Sequence, residues 1–274
     1  MALVVCQQVE TKIPIDVTGV TPEALVGKSN QQISKFPVRH GRHQVELGDL
    51  FKVSGSLGDS KTLVFDGLLK SVHWIGAGQR GGTIQIQSAT GRHVGSQMSG
   101  GRIICQSSVS DYLGIEMTGG SITVAGDAGD CVGGHYPGSK FGMNRGSILI
   151  SGNAGKGLGQ AMRRGTIVVA GNAGELAGWN MLAGTIVVLG NCERHAGASM
   201  KRGTIAIAGD RAPQLLPTFT QGGQYRVPIL SMLANWLEQN DFGHDVSSLR
   251  SEFHEFNGDT LSGGRGELLV CAKP

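Results

Sequence analysis

The chain has 274 residues, 39% of them hydrophobic and 5% aromatic, with a formal charge of +3. That balance excludes a disordered linker, a core built on large rings, and a dedicated nucleic-acid binder, which carries a stronger basic excess. Its 45 glycines, against a usual share of roughly 7%, call for many tight corners between short apolar runs.

The amino terminus, MALVVCQQVETKIPIDV, has no basic segment, and Gln7 and Gln8 interrupt its apolar run. It carries neither a secretory signal pattern nor an apolar run of transmembrane length, so a cytoplasmic location is expected. Cys6, Cys105, Cys131, Cys192 and Cys271 have no framework spacing, which points to reduced thiols. The stretches IPIDVTGVTPEAL and QVELGDLFKVSG mix strand and turn signals, and residues 1–61 are expected to form a small β-rich cap.

From 62 to 210 the chain repeats. Gly82, Gly101, Gly120, Gly146, Gly165, Gly184 and Gly203 are spaced by 19 residues, except for one interval of 26 that accommodates an insertion near 135–141 (HYPGSKF). Two places after each glycine stands an isoleucine (Ile84, Ile103, Ile122, Ile148, Ile167, Ile186, Ile205). Two further on come Ile86, Cys105, Val124, Ile150, Val169, Val188 and Ile207. Such alternation puts both columns on one inward face of a short strand. Met98, Met117, Met143, Met162, Met181 and Met200 form a further column, and Asp127, Asn153, Asn172, Asn191 and Asp210 a small polar one suited to turns. Nineteen residues are too few for a helix–turn–helix unit. The expected fold is therefore all-β, a right-handed parallel β-helix of about seven coils, the first degraded (TLVFDGLLKSVHWIGAGQR).

After Asp210 the pattern stops at Pro213 and Pro217. ILSMLANWLEQND places Ile229, Leu233, Trp236 and Leu237 at helical spacing, and GRGELLV reads as a final strand. Residues 211–274 thus form a helix-containing extension that caps the coils or docks on a partner.

Local motifs carry little chemistry. Gly76-Ala77-Gly78-Gln79-Arg80-Gly81 matches GxGxxG, but TIQIQ follows where a nucleotide site needs a helix. Cys131, His135, Cys192 and His195 lack the paired spacing of a metal site, and no metal site is expected. No catalytic residue stands out. The charged feature is a strip: Arg145, Arg164 and Arg202 directly precede repeat glycines, with Arg163 and Lys201 beside them. It is either a solvated ridge or a binding strip for an acidic chain or partner surface. The insertion, with His135, Tyr136 and Lys140, is a second candidate contact region, or the site of an enzyme in its own right.

The repeated M-x-R/G-G-T/S-I-x-V-x-G-x-A-G pattern resembles the β-helical C-terminal domain of the glutamate synthase large subunit. It is more closely similar to the C subunits of formylmethanofuran dehydrogenases and of the bacterial formyltransferase/hydrolase complex. GKS at 27–29, GDLFKVSG at 48–55, IGAGQRGG at 75–82, the insertion before FGMNRGSI and the closing GRGELLV extend that likeness over nearly the whole chain. The resemblance implies a non-catalytic cytoplasmic subunit, binding no cofactor alone, in a hetero-oligomer with hydrolase-like A, B and transferase D subunits. It implies zinc on a partner subunit, or molybdopterin in the dehydrogenase alternative, and a methanofuran or methylofuran carrier. The carrier's glutamate tail is one acidic chain that the strip would suit. The modest Lys and Glu content favours the formyltransferase/hydrolase complex. A stand-alone module for an acidic ligand is the remaining alternative.

Overall fold

In a computed structural model, which describes residues 2–58, 61–211 and 213–272, the chain is largely β. Its main sheet contains, in chain order, β1 (Leu3–Gln7), β2 (Phe51–Ser54), β3 (Thr62–Gly67), β4 (Thr83–Ile86), β5 (Arg102–Cys105), β6 (Ser121–Val124) and β7 (Ser147–Ile150). It continues with β8 (Thr166–Val169), β9 (Thr185–Val188), β10 (Arg202–Ile207), β11 (Thr220–Arg226), β12 (Glu252–Gly258) and β13 (Arg265–Cys271). From β3 to β10 each strand pairs in parallel with the next, Leu63 against Ile84 and then isoleucine against isoleucine: Ile84 faces Ile103, Ile103 faces Ile122, and Ile148 faces Ile167.

The register follows from the inward columns. Ile84, Ile103, Ile122, Ile148, Ile167, Ile186 and Ile205 have no exposed surface, nor do the methionines from Met98 to Met200. Each such aliphatic side chain contributes about 1.5–3 kcal/mol relative to exposure. A slip by one residue would turn every column outward. On the opposite side of each turn a thinner ladder of single bridges joins Thr90, Val109, Ala128, Ala154, Ala173 and Cys192. Beside it the polar column stitches the turns together. The Asn153 N–H donates to the Asp127 carboxylate (2.7 Å), Asn172 N–H to the Asn153 amide oxygen (2.9 Å), and Asn191 N–H to that of Asn172 (2.8 Å).

The flanking segments join this ladder. β1 pairs in parallel with β3 and β13 in parallel with β10, so each adds a rung at one end. Antiparallel β2 and the β11–β12 pair then carry the sheet to its two edges. A separate four-stranded sheet comprises His43–Glu46, Pro37–His40, Ile15–Asp16 and Val72–His73.

The helix Pro228–Gln239 is present, but its buried face is rotated from the expected one. Leu230, Ala234 and Leu237 are buried, Leu233 is half-buried, whereas Ile229 and Trp236 are 57% and 39% exposed. The helix covers the outer face of the sheet, over Leu149, Val168, Val187, Ala206 and Leu269. In those strands the outward position is apolar without a break, whereas in the earlier rungs apolar and polar residues alternate there: Val64, Gln85, Ile104 and Thr123. Ala234 at the contact lets the helix approach closely.

Candidate functional site

Where the chain turns before its inward Ile/Val/Leu/Ala column, the ladder places Trp74, His93 and Tyr112 one above another. All three adopt left-handed backbone (φ 66°, 66° and 65°), which costs a non-glycine residue roughly 1–2 kcal/mol. Stacking offsets that cost. The rings of Trp74 and His93 lie 4.0 Å apart and 8° from parallel, those of His93 and Tyr112 4.8 Å and 5°. The separations approach the inter-strand spacing of about 4.8 Å, so the ladder itself sets the stack.

The insertion folds back onto this column. The Tyr136 hydroxyl sits 2.8 Å from both His93 Nδ1 and Ser96 Oγ, and the Tyr136 N–H donates to Glu116 (3.1 Å). His135 Nδ1 donates to the Tyr136 carbonyl (2.8 Å). That leaves Nε2 to accept from the Gln160 amide at 3.2 Å, and the Cys131 thiol reaches the other end of Gln160. Ile115 is fully buried, whereas Trp179, in the same column of a later turn, is 36% exposed. His135 and Tyr136, expected as ligand or partner contacts, therefore spend their polar atoms on their own chain.

Burial, with the positive charges of His73 and Arg92 nearby, pushes the His93 imidazole down to about 4 despite Asp111 and Asp16. It is neutral at pH 7. Burial also pushes the Tyr136 phenol up, so its hydroxyl stays protonated. For Glu116, burial acts to raise the carboxyl. Hydrogen bonds from Ser139, Gln97 and the Tyr136 N–H, with His135 nearby, outweigh it and hold the group below the usual carboxylate range.

Lys140 is exposed and lines an open groove of about 380 Å3 together with Gln97, Glu116, Phe141, Asn144 and Arg163. The Arg163 guanidinium lies over the Phe141 ring, 4.9 Å from its centroid. Arg145, Arg164, Lys201 and Arg202 are exposed. Arg145 and Arg164 occupy adjacent rungs; Ala183 interrupts the strip; Arg202 resumes it and pairs in register with Arg265. Arg265 was not anticipated, although the RG of GRGELLV repeats the RG of KRGTIAI. The ring stack was also missed, although its three members stand 19 residues apart.

Among the described residues no group of three or more His, Cys, Asp or Glu side chains is placed to hold a metal ion. Cys6, Cys105, Cys131 and Cys192 are unbridged thiols, and burial pushes those of Cys105 and Cys192 up to about 12. No described helix is long and apolar enough to cross a membrane.

No family model matches the chain. The C subunit of the tungsten-containing formylmethanofuran dehydrogenase 2 of Methanothermobacter thermautotrophicus is 32% identical over 90 residues, 32% of this chain and 33% of that protein. The C subunit of the molybdenum-containing formylmethanofuran dehydrogenase 1 of Methanosarcina barkeri is 34% identical over 89 residues, 31% and 29% of the two chains. The matched segment thus spans only about a third of these curated relatives. A chain in the crystal structure of the formyltransferase/hydrolase complex (FhcABCD) from Methylorubrum extorquens with methylofuran is similar end to end. Its TM-score is 0.85 and its identity 33%, over 98% of this chain and 100% of that one.

Proposed function

We propose that this chain, which belongs to the family of C subunits of formylmethanofuran dehydrogenases and formyltransferase/hydrolase complexes, is a non-catalytic structural component of a formyltransferase/hydrolase complex. That complex would transfer and hydrolyse formyl groups on a methanofuran or methylofuran carrier. The observation that carries this reading is the end-to-end likeness to a chain of the methylofuran-bound complex.

In this reading residues 62–210 form a right-handed parallel β-helix of about seven coils that scaffolds the catalytic subunits, with 1–61 and 211–274 as flanking units. Zinc and the reacting carrier belong to the partners, hydrolase-like A, B and transferase D. The exposed arginines at 145, 164 and 202, with Lys201, face an acidic partner or an acidic part of the carrier. The cytoplasmic location expected from the amino terminus belongs to the same account. A dehydrogenase assembly is the second reading, favoured by the curated relatives, which are tungsten- and molybdenum-containing enzymes.

Turnover tests the assignment. The purified chain alone should leave formylated carrier unchanged, and activity should return only with its partner subunits. Formyl transfer or hydrolysis by the isolated chain would overturn the structural role. Molybdopterin in the active assembly would favour the second reading.

A further inference from the structure

We propose that Trp74, Tyr112 and Tyr136 form a radical-transfer cluster, in which a one-electron hole entering at the indole settles on the Tyr136 phenol as its proton passes to His93. This goes beyond the assignment to a complex and does not depend on it.

The oxidisable rings of a chain that is only 5% aromatic are concentrated here. Two of its three tyrosines and one of its three tryptophans lie in the cluster. The Tyr136 ring centre is 6.1 Å from that of Trp74 and 6.2 Å from that of Tyr112, and His93 stacks between Trp74 and Tyr112. Aromatic pairs in contact have centres about 4.5–7 Å apart, so an electron crosses these gaps without a further carrier. All four rings are half-buried, which lets a small diffusible oxidant reach an edge while bulk water does not surround the phenol.

Tyr136 is the ring placed to lose its proton together with its electron. Its hydroxyl is 2.8 Å from His93 Nδ1, within the reach required of a proton acceptor. His93 is neutral at pH 7, so with its hydrogen on Nε2 the Nδ1 lone pair accepts. The buried Ser96 hydroxyl, also 2.8 Å away, then donates to the phenolic oxygen and leaves the phenol hydrogen directed at His93. An oxidised phenol is a far stronger acid than the phenol itself, so even a weakly basic imidazole takes the proton. Among the described residues the Tyr112 hydroxyl has no such acceptor, which makes Tyr136 the end of the path.

The oxidant is a small one-electron radical. It takes one electron from Trp74 and becomes an anion, and the indole N–H releases its proton to water. The indolyl radical then takes one electron from Tyr136 and one proton from water, which restores Trp74. The Tyr136 O–H bond breaks, its proton goes to His93 Nδ1, and the unpaired electron stays on the phenoxyl. The imidazolium returns a proton to solvent from Nε2.

Pulse radiolysis of the full chain with azidyl radicals tests this, with the indolyl and phenoxyl absorption bands followed in time. In the wild type, indolyl decay should match phenoxyl growth in a phase whose rate is independent of protein concentration. Tyr136→Phe and Trp74→Phe should each lose that phase, while Tyr225→Phe keeps it. His93→Phe retains a ring in the stack but removes the acceptor, and should slow the phase with Tyr136 still present. Circular dichroism checks that each variant is folded, and any one folded cluster variant suffices. Phenoxyl growth that is absent or scales with protein concentration in the wild type, or a phase unchanged in Tyr136→Phe or His93→Phe, would overturn the proposal.

Discussion

The hydroxyl of Tyr136 lies 2.8 Å from Nδ1 of His93, across a separation of 43 residues. With the bonds to Ser96, Glu116 and Gln160, this contact fastens the insertion beside the stacked rings, next to Lys140 and Phe141. Tyr136→Phe keeps the ring but leaves His93 Nδ1 and the buried Ser96 hydroxyl without that partner. The expected loss is about 1–3 kcal/mol, the cost of unsatisfied buried polar groups. Hydrogen exchange should show it as faster exchange at 135–141, with β8 and β9 unchanged.

His93 also makes stability depend on pH. Its folded pKa, about 4, lies below its ordinary 6.5, so the unfolded chain takes up the proton first. Stability is then complete above pH 6.5 and falls as pH drops from 6.5 through about 4. His93→Phe should flatten that part of the melting-temperature profile, with His73, also depressed by burial and by the nearby Arg92 charge, and other groups supplying the remainder. An identical acid slope in wild type and variant would remove His93 from the account.

Gly165 sits at φ +105°, and a Cβ there would lie 2.7 Å from Met143 Cε and 2.9 Å from the carbonyl oxygen of Gly146. Gly165→Ala should therefore destabilise by about 2–4 kcal/mol, combining backbone strain with overpacking. Asn180, whose φ of 54° lies in the left-handed region that short polar side chains tolerate, is the contrast. Asn180→Asp should change the urea midpoint little.

The polar ladder offers a smaller effect. Asn172→Ala leaves the Asn191 N–H without the side-chain acceptor that links the two turns. A loss of about 1 kcal/mol is expected, the net value of a typical hydrogen bond. Lys201→Ala, at an exposed position with no such role, should fall within about 0.5 kcal/mol of wild type. Urea denaturation of both variants makes the comparison.

The repeat was legible because one period placed isoleucine, methionine and glycine in separate columns, and each column had one physical task. The insertion was legible as a broken interval. What it does was not: Tyr136 meets His93 and Ser96 through folding, and no local pattern announces that contact. The helix was found but its phase was not. Ile229 and Trp236 look like core residues by type, whereas the sheet selects Leu230, Ala234 and Leu237 by shape. The outer apolar positions at Val168 and Val187 were the available sign of a covering helix, hidden within an otherwise uniform TIVV run. Arg265 escaped for a different reason: it lies outside the 19-residue register although its strand joins the same ladder.

Native mass spectrometry of the chain, tagged and purified from its source, tests the central assignment most directly. The account predicts a stable assembly with hydrolase-like and transferase subunits, with the tagged chain as an integral component. A chain that emerges alone, or only with itself, would contradict it.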